Sequence, residues 1–320
     1  MADFPSHIHI HEEGPREGFQ IEPGPISTDD KIRFIEALAQ TGLREVQAVS
    51  FVNPQRVPSM ADAETVAHRL RPFEGVQYTA VWLNLRGLER ALTTPLHVPG
   101  RLQISASEPF SISNTGKNTE QTLAEQRQVI AYCLAHHIPI ESAIVMTAFG
   151  CNLAGHIAPA LVLQRIEQLM GVLQEHGLTL PYLRLADTVG WANPNAVTRL
   201  IGAVRERWPD LRLGLHLHDT RGTGLANAYA GLSMGVDRFD SSCAGLGGCP
   251  FAGHQGAAGN ICTEDLVFMC EEMGIHTGVD LEALIACAHM AEAIVGHPLP
   301  GKLMRGGSLS RYQHPGGSHA

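Results

Sequence analysis

Three things are scarce in this 320-residue chain: charge, aromatic rings and cysteines at pairing distance. Charged residues make up 17% and aromatics 6%, against 44% apolar, the balance of a globular chain with a sizeable core. The length allows one large domain or two ordinary ones. No basic block occurs, and the net charge of −9 argues against a nucleic-acid surface. No uninterrupted apolar run reaches about 18 residues, so no membrane span is expected. The start, MADFPSHIHIHEEG, has no basic segment followed by an apolar one, so no secretory leader is expected. Seven cysteines, an odd number without a CxxC pair, read as reduced thiols and point to the cytoplasm.

What is present is alternation. Short runs with strand character (HIHIHE, EVQAVSF, VQYTAVWLN, RLQISASE, IESAIVMTAFG, YLRLADTVG, LRLGLHLHDT and DRFDSSCAGLG) are interleaved with amphipathic segments such as DDKIRFIEALAQTG and NTEQTLAEQRQVIAYCLAHH. Eight strand–helix units without a linker predict an α/β fold: a single-domain (β/α)8 TIM barrel over residues 1–300. LEALIACAHMAEAIVG adds a C-terminal helix, and residues 301–320 read as a flexible tail. A doubly wound sheet is the other fold that this pattern allows.

The seventh strand carries the sharpest chemical signal. In LRLGLHLHDT, Leu211, Leu213, Leu215 and Leu217 share one face; Arg212, Gly214, His216 and His218 share the other. Two imidazoles one strand pitch apart form half of a metal site, or two histidines satisfied by core hydrogen bonds. In a TIM barrel the active site lies at the C-terminal strand ends, where unusual polar residues collect. Glu12, Arg16 and Glu17 follow strand one, Gln47 and Ser50 lie on strand two, and Ser107 and Glu108 end strand four. Asp187 and Thr188 end strand six, and Cys249 and Asn260 lie in a glycine-rich stretch after strand eight. Arg16 and Glu17 read as a site pair or a solvated ion pair. Cys249 reads as an inert thiol or, beside a metal, as an acid–base group. The glycines fit a closing lid or a plain loop.

In order along the chain, GPREG (14–18), SFVNPQRVPSMAD (50–62), SASEPFS (105–111), ADTVG (186–190), HLHDT (216–220) and SSCAGLGGCP with the later GN and TED (241–265) resemble the 3-hydroxy-3-methylglutaryl-CoA lyase family. This family belongs to a group of metal-dependent barrels that make or break carbon–carbon bonds beside a thioester. The resemblance runs from about His9 to about Gly296. It implies cleavage of a branched 3-hydroxyacyl-CoA to an acyl-CoA, such as acetyl-CoA, and a keto acid. His216, His218 and Asn260 fall on metal-holding positions, and Glu17 on a third ligand position that the family writes as aspartate. Arg16 matches the arginine that stabilises the enolate oxygen, and Cys249 the loop cysteine that aids proton transfer. Gln47 stands where the family pairs a glutamate with the arginine, and His216 doubles as a catalytic candidate. Ser50, Ser107, Asp187, Thr188 and Arg221 are candidates for substrate binding. Mixed nitrogen and oxygen ligands suit Mg²⁺ or Mn²⁺, with Zn²⁺ or Co²⁺ compatible. The implied partner is an acyl-CoA, with neither nucleic acid nor membrane, and the final helix offers a face for a homodimer.

The chain also departs from the family. Glu17 is one methylene longer than the expected aspartate, and ligand distances tolerate only about ±0.2 Å. Gln47 removes a negative charge beside Arg16. Arg221 replaces a usual tyrosine and adds a positive one. The stretch from Cys249 to Asn260 is two residues longer than usual. A more positive pocket would favour a substrate with an extra anionic group or another acyl branch; alternatively the site tolerates the swaps and runs the ordinary reaction. Two other classes compete: an acyl-CoA-condensing synthase of the same superfamily, and a degenerate barrel that only binds metal or acyl-CoA.

Overall fold

The computed structural model describes residues 4–248 and 259–312. Eight parallel strands, β1 (His9–Glu12), β2 (Glu45–Ser50), β3 (Gln77–Val81), β4 (Gly100–Ser105), β5 (Ile140–Met146), β6 (Tyr182–Asp187), β7 (Arg212–Leu217) and β8 (Arg238–Ser241), form one curled sheet. Its order is β3-β2-β1-β8-β7-β6-β5-β4. A parallel bridge from Thr79 to His97, just ahead of β4, brings the two ends together. This is the TIM barrel that the alternation predicts.

The helices begin where the sequence supplies caps. Ser27, Asn84, Asn193 and Asp280 each accept a backbone N–H in the first turn of α1 (Thr28–Ala39), α3 (Leu85–Leu92), α6 (Pro194–Arg207) and α9 (Leu281–Val295). Asn118 and Gln121 form a reciprocal capping box on α4 (Thr119–Ala135). Each such cap is worth about 1 kcal/mol. Further helices between the strands are α2 (Ala63–Arg69), α5 (Pro159–Gln174), α7 (Gly224–Ser233) and α8 (Thr263–Glu272). Among the described residues no helix is long and apolar enough to cross a membrane.

The core lies between sheet and helices, where Leu183, Leu185, Leu213, Leu215 and Leu217 are buried. A Cβ on Gly231 of α7 would sit 2.4 Å from Leu215, whereas a Cβ on Gly214 would sit 1.8 Å from the Tyr182 hydroxyl inside the barrel. The leucine face of β7 therefore meets the helices and its histidine face meets the barrel axis. That axis is unusually charged for a fold normally filled there by branched apolar layers. Arg184, Asp240, His11 and Glu13 are all buried. They persist because they are paired: Arg184 Nε lies 3.2 Å from Asp240 Oδ1, and His11 Nε2 lies 3.0 Å from Thr79 Oγ1.

Two elements escaped the sequence pattern. The segment after the fourth strand run contains a helix (Glu108–Thr115) that begins on Glu108 itself, and Gly150–Cys151 pairs with Gly155–His156 as a small antiparallel hairpin. Within the expected tail, Leu303–Gly306 is helical, Leu303 and Met304 are buried, and Leu303 N donates to Asp265 Oδ1 at 2.7 Å. The apolar side of α9 (Leu284, Cys287, Ala288 and Ala291) is buried within the chain.

Gly42, beyond α1, has φ +95°, and a Cβ there would lie 2.2 Å from the Gly278 carbonyl oxygen. Gly42→Ala is expected to cost about 2 kcal/mol or more, read as a lower urea midpoint at unchanged slope.

Candidate metal centre

The end of β7 is held by the chain that returns after β8. Ile261 N donates to Leu217 O at 3.0 Å, Asp219 N donates to Gly259 O at 2.7 Å, and His218 bridges to Asn260. This pairing puts the Asn260 side chain beside His218. Gly247 and Gly259 meet backbone to backbone: a Cβ on Gly259 would lie 2.1 Å from the Gly247 carbonyl carbon. From β1, a wide turn over Gly14–Gly18, with Glu17 N donating to Glu13 O at 2.7 Å, carries Arg16 and Glu17 to the same place. Such widened turns recur at functional sites.

Three ligand-type atoms converge. His216 Nε2 and His218 Nε2 are 3.1 Å apart, and His218 Nε2 is 3.1 Å from Glu17 Oε1. The longer glutamate therefore reaches the histidines despite its additional methylene. Asn260 is 1% exposed, yet among the described residues neither its amide oxygen nor its amide nitrogen has a hydrogen-bond partner. A buried amide left unsatisfied costs about 1–3 kcal/mol. Two converging nitrogens, a carboxylate and an orphaned amide oxygen make a donor set that fits a divalent cation.

Behind the ligands, Asp240 Oδ2 lies 3.2 Å from His216 Nδ1. A carboxylate only accepts, so it holds the Nδ1–H tautomer and leaves Nε2 facing the mouth. Burial opposes a charge on His216, but the Asp240 hydrogen bond and the Glu17 and Glu13 carboxylates lift it to about 9. Burial likewise opposes charge on Glu17, but Arg16, 2.9 Å away, and the hydrogen bond from His218 hold its carboxyl well below the usual range.

Arg16 is gripped from two sides. Its Nε donates to Gln47 Oε1, its Nη2 lies 2.7 Å from Glu13 Oε2, and Gln47 Nε2 donates to Glu13 Oε1 at 3.2 Å. Arg16 therefore has a carboxylate partner in Glu13 even though position 47 carries an uncharged amide. Glu13 went unnoticed in the sequence although the period-two pattern His9, His11, Glu13 puts it on the axis side of β1. Asp240 was missed likewise; its signal is an acid alternating with Phe239 in a buried strand.

The remaining candidates surround the mouth with their polar groups engaged. Ser50 Oγ donates to Gln20 Oε1 at 2.8 Å, and Ser107 Oγ accepts from Phe110 N at 3.2 Å as a helix cap. Asp187 accepts from Trp191 N at 2.7 Å and Ala192 N at 3.1 Å, and Thr188 Oγ1 accepts from Thr147 N at 2.8 Å. Arg221 donates to the carbonyls of Val189 and Gly190 at 2.9 and 2.7 Å, tying its charge to the loop after β6. Cys249 lies outside the described residues.

With this geometry in place, the comparisons with known proteins decide the family. The HMGL-like family model matches residues 7–291. The hydroxymethylglutaryl-CoA lyase of Bacillus subtilis is 39% identical over 299 residues, covering 93% of this chain and 97% of that protein. The chain belongs to the hydroxymethylglutaryl-CoA lyase family. The mitochondrial human enzyme is 36% identical over 291 residues, covering 89% of this chain and 85% of its own. Among solved structures, the B. subtilis lyase superposes with a TM-score of 0.86, covering 94% of this chain and 98% of that one. An Acinetobacter baumannii lyase in complex with coenzyme A and 3-methylmalate gives 0.87 at 36% identity, covering 98% of this chain and 99% of its own. This lyase is thus a carbon–carbon lyase of a family that depends on a divalent metal.

One buried acid of the lyase joins β1 to the chain after β8 and should contribute to its response to pH. Glu12 accepts from Gly14 N and Cys243 N, each at 2.8 Å, and from Thr263 Oγ1 at 2.6 Å, yet burial raises it to about 7. The folded state then keeps a proton on Glu12 that the unfolded state releases, so the contribution of this acid to stability falls as pH rises from the ordinary carboxylate range to about 7. Glu12→Gln is expected to flatten that decline, which amounts to about 3 kcal/mol, in denaturation midpoints taken from pH 5 to 8.

Proposed function

We propose that this lyase cleaves hydroxymethylglutaryl-CoA, or a close branched 3-hydroxyacyl-CoA, to acetyl-CoA or a homologue and a keto acid. Glu17, His216, His218 and Asn260 would hold the divalent cation, Mg²⁺ or Mn²⁺ in preference to Zn²⁺ or Co²⁺. The observation that carries this reading is the convergence of both imidazole Nε2 atoms on Glu17 Oε1, beside the unsatisfied Asn260 amide. A cation bound there acidifies the substrate hydroxyl. The coenzyme A held by the A. baumannii relative supports a thioester substrate.

The chain's own residues supply the rest. As the hydroxyl passes its proton to the Cys249 thiolate, the bond between the α and β carbons breaks, and its electron pair becomes the enolate of the departing acyl-CoA. The Arg16 guanidinium, oriented by Glu13 and Gln47, favours the negative charge on the thioester oxygen. Cys249 delivers a proton to the enolate carbon. Ser50, Ser107, Asp187, Thr188 and Arg221 brace the loops around the acyl group.

Chelation should abolish the release of acetyl-CoA from hydroxymethylglutaryl-CoA, and Mg²⁺ or Mn²⁺ should restore it. Arg16→Met should lower kcat by about 10²–10³. Asp240→Asn should weaken metal affinity by about 10–100-fold, read by titration calorimetry. Activity that survives exhaustive chelation, or thioester hydrolysis without release of a keto acid, would contradict the proposal.

A further inference from the structure

The opposite end of the barrel holds a second polar cavity, of about 380 Å³, at the N-terminal ends of the strands. Four arginines and two glutamates line it: Arg101, Arg184, Arg212, Arg238, Glu45 and Glu141. The acids are already engaged, Glu141 with His97 at 3.1 Å and Glu45 with His11 at 3.6 Å. Of the bases, only Arg184 is closely paired, with Asp240 at 3.2 Å. Arg212 reaches Asp237 at no less than 4.0 Å. Arg238 lies over the Tyr182 ring at 5.2 Å, and its Nε is buried without an acceptor.

Arg101 is the telling residue. It lines the cavity partly buried, and its guanidinium forms no ion pair or hydrogen bond among the described residues. Burial, with the charge of Arg184 beside it, pulls it down to about 10. A guanidinium partly withdrawn from water and set beside a second guanidinium is costly unless an anion accompanies it. This end of a TIM barrel ordinarily serves stability, and a network built only for stability would close its own charges. Three guanidinium groups around one cavity are instead left with donors to spare.

We infer that this basal cavity binds a small oxyanion carrying at least two negative charges, a phosphate or a polycarboxylate, held by Arg101, Arg212 and Arg238. Their planar forks suit two-oxygen contacts with either group. The site is separate from the metal centre, and the inference does not depend on the reaction proposed there.

Calorimetric titration of the full chain at low ionic strength, with inorganic phosphate and separately with citrate, tests it. Saturable binding of either anion at one site per chain is expected, weakened about tenfold or more by Arg101→Met. Because Arg101→Met alters the barrel interior, Arg212→Gln at the half-exposed rim provides a second reading, with a several-fold loss expected. Binding of neither anion, or binding that both substitutions leave unchanged, would overturn the inference.

Discussion

The carboxylate of Asp240, 2% exposed on the barrel axis, is the constraint on which the site depends. One oxygen meets Arg184 at 3.2 Å and His11 at 3.5 Å; the other meets His216 at 3.2 Å. Burial alone would drive such an acid to neutrality. Arg184 and the two histidines instead hold it well below the usual carboxylate range. Because it stays charged, it fixes the tautomer of His216, and so decides which nitrogen faces the mouth. Without Arg184 the acid would lose its largest source of ionisation and the ligand set part of what orients it.

Much of this could be read from the sequence because barrel geometry converts spacing into position. The alternation in LRLGLHLHDT settles which residues of β7 meet the helices and which meet the axis, and the imidazoles are found on the axis side. GPREG likewise brings Arg16 and Glu17 to the mouth. What could not be read depends on partners far apart in the chain. Asp240 gains meaning only from Arg184, 56 positions earlier in the chain, and Glu13 only from Gln47 and Arg16. The hydroxyls of Ser50 and Ser107 look available in the sequence, but Gln20 and the backbone of Phe110 engage them. The helix Glu108–Thr115 hid in a polar segment, where a serine cap and a glycine stop (Gly116, φ +73°) delimit it in place of an apolar stripe.

The arrangement around Arg16 shows how a charge can be kept while its carrier changes. An amide at position 47 accepts from the guanidinium Nε, and the carboxylate at position 13 bonds both the amide and Nη2. Charge compensation thus comes from the same turn that bears the arginine, which couples the two through local backbone geometry as well as across strands. Glu17 follows the same logic, since a longer side chain still delivers its oxygen to His218.

The contact between Gly247 and Gly259 has a consequence for how this family can vary. Because the chain is pinched shut at that point, Asn260 takes its position from the neck and not from whatever lies between. A side chain at Gly259 would prise the neck open, whereas at Gly247 it is the backbone, at φ +105°, that resists any other residue.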